Sequence, residues 1–319
     1  MAFSTSQTER NGIRLVGLHE ENGANIWIAN DFGGMLYGFE VRNPAGEMVD
    51  VLDKYPDVVT LQAKIDKTFM GCKLSPFACR IPGGKYFYDD VEFEFSKKGD
   101  DGAAIHGLLY DKPLTVVDFF ADDEQAQVLL KYNYKEEEDG YPFSYRCEIK
   151  YSLQANGLLQ LQTTIINLDD LEIPLVDGWH PYFRLTDSLD DLCLSFNSGA
   201  MIVFDERLVP NGEIVHYDEF QEMKRLGDTV FDNCFLLEES VSAPACVLRN
   251  DKTGLEVRIF PDESYPYLQI YTGGVERKSI AIENLSASPD AFNNGMGLLQ
   301  IPPRRSQTFT VYYRAGFDL

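Results

Sequence analysis

Leu158-Leu159-Gln160-Leu161-Gln162-Thr163-Thr164-Ile165 is the stretch that decides the fold class. Apolar and polar side chains alternate along it, as they do where a strand sends successive side chains to a core and to solvent. Residues 143–153, 255–260, 267–271 and 309–314 repeat the pattern and are rich in β-branched and aromatic side chains. Gly83-Gly84, Asp139-Gly140, Asn156-Gly157 and Asn211-Gly212 supply turn chemistry between such segments. Helical periodicity is scarce. Residues 221–226 read as a short helix, and no segment holds the 3.6-residue period for four turns. Strands that follow one another without helices exclude a βαβ plan. The expectation is an all-β chain, one large antiparallel β-sandwich domain over residues 1–319, because no linker, repeat or low-complexity tract divides it.

Composition narrows the function. Hydrophobic residues make up 44% and charged residues 25% of the 319, so disorder is not expected. Twenty-eight Lys and Arg against 51 Asp and Glu leave a net charge of −23. That field repels nucleic acid and anionic membranes, and neither is expected as a partner. It also disfavours a multiply charged anionic substrate unless the site is locally basic. Cys72, Cys79, Cys147, Cys193, Cys234 and Cys246 form no CxxC pair and read as free core thiols. The first residues lack a basic and then apolar leader pattern, and no stretch approaches the ~20 apolar residues of a membrane span. The expected location is the cytoplasm. The sequence has no GxGxxG after a strand, no Walker loop, no HExxH and no GxSxG, so nucleotide-dependent chemistry and the common hydrolase plans lose support.

Four histidines occur, and histidine is the side chain best suited to proton transfer near neutral pH. His180 lies in Gly178-Trp179-His180-Pro181-Tyr182-Phe183. Beside Trp and Tyr at a strand end it fits a sugar pocket, where aromatic faces meet pyranose C–H surfaces; it equally fits a core histidine bonded to backbone. His106 precedes Gly107, which permits close backbone approach. His19 and His216 lie among acidic residues and read as solvated. Glu283, in Ile280-Ala281-Ile282-Glu283-Asn284-Leu285, is where a strand would deliver a carboxylate into a pocket, or onto a half-exposed rim. Arg80 and Asp232 are likewise charges inside apolar stretches, as pocket residues or as partners of buried opposite charges.

Taken in order, these segments resemble the aldose 1-epimerase (galactose mutarotase-like) family from about Asn25 onward. Residues 76–81 look like its Asn-Arg-Ile stretch, Ile105-His106-Gly107 like its His-Gly element, and Trp179-His180-Pro181-Tyr182-Phe183 like its His-x-Tyr-Phe signature. Leu208-Val209-Pro210-Asn211-Gly212-Glu213-Ile214 is similar to its Ile-Pro-Thr-Gly-Glu run, residues 230–235 to the region supplying a sugar-binding Asp, and Glu283 with residues 289–293 to its catalytic Glu and following loop. Three positions depart from the pattern: Cys79 replaces the Asn before the arginine, Leu108 a second glycine, and Gly71-Cys72-Lys73 offers no counterpart to an earlier arginine. These changes surround the sugar, and so bear on which sugar is taken more than on the reaction.

The resemblance implies a β-supersandwich and a mutarotase acting on a small-molecule monosaccharide. Glu283 would take the proton from O1 and His180 deliver one to ring O5; C1–O5 then breaks, C1–C2 rotates, and reclosure gives the other anomer. Arg80, His106 and Asp232 would hold the ring. Proton transfer of this kind calls for no metal and no cofactor. The expected geometry has all five residues around one open pocket, with His180 and Glu283 facing across the width of a sugar ring and Trp179, Tyr182 or Phe292 walling it. Two relatives of this reading are a hexose-6-phosphate mutarotase, for which Lys73, Arg80, Lys85 and Arg184 are the candidate cations, and a sugar-binding protein without catalysis. A polysaccharide lyase or glycoside hydrolase would need a longer groove and another acid/base set.

Overall fold

The alternating stretch forms the strand Leu158–Asn167, whose side chains are buried at every second position. The structure is a computed structural model, and residues 2–238, 243–273, 276–317 and 319 are described in it. Strand Leu158–Asn167 lies at the centre of a nine-stranded sheet, between Ser144–Gln154 and Ser306–Phe317. Leu161 faces Tyr151 on one side and Val311 on the other. Each such buried side chain contributes about 1.5–3 kcal/mol, so a one-residue slip that reversed the faces is strongly disfavoured.

An eight-stranded sheet packs against the first, and the described residues also form a five-stranded N-terminal sheet and three two-stranded ones. The ladders are antiparallel. Aromatic pairs join the inner faces of the two large sheets: Tyr151 with Trp179 at 6.0 Å, Phe183 with Tyr313 at 6.1 Å, and Phe196 with Phe235 at 4.6 Å between ring centres. The result is an antiparallel β-sandwich, as the period-two reading expects, of the supersandwich kind that the resemblance implies. All six cysteines are free and buried. No helix among the described residues is long and apolar enough to cross a membrane.

Helices are few among the described residues, and four local readings need correction. Val58–Thr68 forms a three-turn helix that sequence periodicity did not indicate, because only Leu61 and Ile65 of it are buried; the Asp57 side chain caps it by accepting from the Thr60 amide. Residues 221–226 are not helical: Lys224–Arg225 forms a short strand against Cys193–Leu194. Asn211-Gly212 lies inside the edge strand Pro210–His216, the chain having turned already at residues 206–208. His19 is half-buried, bonded to Ser6 and Asn25.

Candidate active site

The eight-stranded sheet has an inner face turned to the sandwich core and an outer face, and strand register assigns residues to each. Strand Ile280–Leu285 pairs with Gly178–His180 through Trp179 opposite Asn284, and with Tyr182–Phe183 through Tyr182 opposite Ala281. On its other edge Glu283 lies opposite Gln269, and Asp232 lies opposite Tyr271 one strand further on. Alternation therefore places His180, Tyr182, Glu283, Gln269, Tyr271 and Asp232 together on the outer face. Trp179 and Asn284 fall on the inner face.

Two flanking segments complete the site. Arg80–Ile81 and Ala104–Ile105 form a two-rung ladder whose neighbours, Cys79 and His106, both adopt left-handed backbone, with φ 56° and 57°. The His106 amide donates to the Cys79 carbonyl at 3.0 Å, and the Cys79 amide donates to His106 Nδ1 at 3.3 Å. That second bond fixes the neutral imidazole with its proton on Nε2. Gly107 follows at φ 80°, and a Cβ there would lie 2.2 Å from the Ser75 carbonyl oxygen, so the backbone crossing requires glycine. Non-glycine residues in left-handed conformation cost free energy and persist where surrounding contacts hold them.

Arg80, His106, His180, Asp232 and Glu283 all line one open cavity of about 670 Å³, within the range of small-molecule sites. His180 Nε2 lies 3.2 Å from Glu283 Oε1, with the side chains 5% and 2% exposed. The Tyr182 ring stacks on His180 at 5.0 Å and 19°, and His106 meets His180 edge-on at 4.9 Å. His180 Nδ1 and Glu283 Oε2 are buried without a hydrogen-bond partner among the described residues. Burial is the main influence on both groups: it lowers the His180 pKa to about 3 and raises that of Glu283 well above the usual carboxylate range, with Asp232 adding to the latter. A neutral imidazole beside a protonated carboxyl carries the same net charge as an imidazolium beside a carboxylate. Moving one proton between the two is thus an internal rearrangement of the pair.

Asp232 accepts from Gln269 Nε2 at 2.9 Å; burial raises its pKa, and the charge of Arg80 opposes that rise. Arg80 pairs with Asp101 at the rim. Burial also keeps His106 neutral, reinforced by repulsion from His180 and Arg80. The arrangement offers a proton-transfer pair, a neutral N–H donor, and a cation and carboxylate for hydroxyl groups.

Three expectations of the site do not hold as stated. His180 and Glu283 touch instead of facing across a ring. The register accounts for it: with Trp179 opposite Asn284, His180 and Glu283 fall side by side on the same face of neighbouring strands. Of the three proposed wall residues, Tyr182 lines the cavity, whereas Trp179 points into the sandwich and Phe292 packs on Tyr86 and Phe77. Of the four candidate phosphate cations, Arg80 and Arg184 line the cavity; Lys73 is buried against Asp177, and Lys85 pairs with Glu92 and Glu94.

Phe69, Gln269 and Tyr271 also line the cavity and were not singled out by sequence; Cys79, read there as a core thiol and a departure from the family pattern, lines it too. Gln269 had a signal: it is the polar residue between Tyr267 and Tyr271 on one face of a strand.

The sequence model for aldose 1-epimerase matches residues 15–312. An uncharacterized protein of Escherichia coli K12, YihR, is 27% identical over 278 residues, covering 77% of this chain and 85% of that protein. A maltose epimerase of Levilactobacillus brevis is 24% identical over 212 residues, 60% of this chain and 61% of that one. The crystal structure of a galactose mutarotase-like protein from Clostridium acetobutylicum superposes with a TM-score of 0.86 at 17% identity, covering 99% of each chain. With the model spanning nearly the whole sequence and the fold shared throughout, the chain belongs to the aldose 1-epimerase family of isomerases.

Proposed function

We propose that the chain is a mutarotase that interconverts the α and β anomers of a hexose, acting in the cytoplasm as a single domain. The observation that carries this reading is the His180–Glu283 pair, in contact with each other and each keeping one buried polar atom unpaired beside the cavity. Glu283 takes the O1 proton while His180 protonates O5, and the C1–O5 bond opens to the aldehyde. After rotation about C1–C2 the pair returns both protons in the opposite sense and the ring closes. Each transfer contributes about 10²–10⁴-fold. His106 donates its Nε2 proton to a ring or hydroxyl oxygen, Arg80 and Asp232 bind hydroxyl groups, and Tyr182 presents a flat face behind the imidazole.

A phosphosugar substrate draws on a separate observation. Lys67, Arg80, Arg184, Arg277 and Lys278 line the cavity of a chain whose net charge is −23. Most of these already have carboxylate partners, which favours the neutral hexose: Arg184 with Asp53 and Asp187, Arg277 with Asp190, Lys278 with Glu276. The test is polarimetry on freshly dissolved α-glucose, α-galactose, maltose and the hexose 6-phosphates. Acceleration of a neutral sugar is expected. Acceleration of the phosphates alone moves the assignment to phosphosugars, and acceleration of none leaves a sugar-binding protein.

A further inference from the structure

Cys79 has no part in the proton transfers, yet it stands among them. Its Sγ, a nitrogen of His106 and a carboxylate oxygen of Glu283 lie within 4.8 Å of one another, and all three residues are buried. Two further features mark a place for a ligand. Glu283 Oε2 is buried with no hydrogen-bond partner, and the ladder that interlocks Cys79 with His106 holds two of the three donors at fixed backbone positions. From this geometry we infer that Cys79, His106 and Glu283 form a binding site for a zinc-class divalent cation, and that the cation and the sugar exclude each other.

The donor set selects the metal. One thiolate, one imidazole and one carboxylate suit zinc or cobalt(II), whereas magnesium and calcium take oxygen ligands. A tetrahedral zinc ion with bonds of about 2.0–2.3 Å holds its ligand atoms about 3.4–3.7 Å apart. Side-chain rotations of roughly 1 Å therefore close the site without moving the ladder. The fourth position faces the cavity, for water or for His180, whose Nε2 already lies 3.2 Å from Glu283. On binding, the thiol proton and the Glu283 carboxyl proton pass to solvent, as ligation requires. His106 gives up its 3.3 Å bond from the Cys79 amide: directly if Nδ1 ligates, and through the shift of its proton to Nδ1 if Nε2 ligates. An asparagine at position 79, the residue of the family element that this segment resembles, would offer only an amide oxygen. The site is thus a property of this chain's cysteine. Occupied, it ties up the base, so zinc inhibits by taking the place of the sugar.

The test is zinc affinity of the full-length chain, measured by competition with a chromophoric chelator, for wild type, Cys79→Ser and Cys79→Asn. Thermal melts confirm that each variant is folded. A one-to-one wild-type complex and at least about tenfold weaker binding in both variants are expected, since loss of a supporting residue alone costs 10–100-fold. The cobalt(II) complex of the wild type should carry a thiolate charge-transfer band that both variants lack, even though five other cysteines remain. Saturating galactose should weaken the wild-type affinity. A wild-type chain that forms no one-to-one complex, or a Cys79→Ser chain that binds zinc undiminished, overturns the inference. These readouts do not depend on turnover, so they stand apart from the assignment of a mutarotase.

Discussion

A buried acid–base pair lies on each side of the strand Gly178–His180, and the two differ in their access to a cavity. On the inner side Lys73 Nζ donates to Asp177 at 2.5 Å and to the Gly178 carbonyl at 2.9 Å, above the Trp179 ring; Tyr265 donates to the same Asp177 oxygen at 2.6 Å. Burial pushes the ammonium pKa down and the carboxyl pKa up, and mutual attraction opposes both shifts. Lys73 and Asp177 line neither the cavity of about 670 Å³ nor a second one of about 370 Å³. On the outer side His180 and Glu283 make one contact, and His180 Nδ1 and Glu283 Oε2 have no hydrogen-bond partner among the described residues. Burial alone therefore does not mark a functional group, because the inner pair is the more buried of the two. Nor does an unpaired atom, since Asp177 Oδ2 is also buried without a hydrogen-bond partner among the described residues; what sets the outer pair apart is that it lines the open cavity.

If that distinction is right, changes to the outer pair alter turnover and leave folding alone. The largest effect is expected for Glu283→Gln: rate falls to near background while the sugar still binds, because the amide keeps the shape but cannot take the O1 proton. Polarimetry for rate and calorimetry for binding separate the two. Near-normal turnover would remove Glu283 as the base. His180→Asn should lower turnover by at least ~10²-fold, the lower end of a general-acid contribution. A variant altered only in KM would make His180 a binding residue. Melting temperatures of both variants should stay near that of the wild type.

The inner pair should behave in the reverse way. Lys73→Met leaves Asp177 buried without its cation, which costs about 3–5 kcal/mol of stability. Chemical denaturation measures the loss, and the folded fraction should keep most of its kcat. In Lys73→Met/Asp177→Asn the buried charge is gone while Tyr265 retains an acceptor, so the double variant should recover part of the loss. Simple additivity of the two single changes would show that the pair is not coupled.

The contrast also explains what could be read in sequence. Strand Leu158–Asn167 was legible because one of its faces is core and the other solvent, so the period is printed in its residue types. Ile280–Leu285 is buried on both faces, and nothing in its composition says which side meets a cavity. Trp179 and His180 illustrate the cost: adjacent in a signature that fits a sugar site, they point to opposite faces. The helix Val58–Thr68 was missed because it buries only two side chains. Contact between His180 and Glu283 depends on register between strands distant in sequence, which no local pattern encodes. The five residues drawn from the family resemblance were nevertheless brought to one cavity.

The smallest effect expected is none at all, and it bears directly on the unpaired atoms of the outer pair. Those atoms admit two occupants: sugar oxygens, which the reaction requires, or a metal ion held by Glu283 with Cys79 and His106. If a metal were part of the catalyst, prolonged EDTA treatment followed by desalting would abolish mutarotation, and one divalent ion would restore it. Proton transfer to O5 and from O1 needs only the His180–Glu283 pair, so chelation should leave the rate unchanged. It should raise the rate where the purified chain carries zinc, and added zinc should then depress it in proportion to site occupancy. Loss of activity on chelation with recovery on zinc would show that the open pair works through the ion, and the acid–base assignment would fall with it.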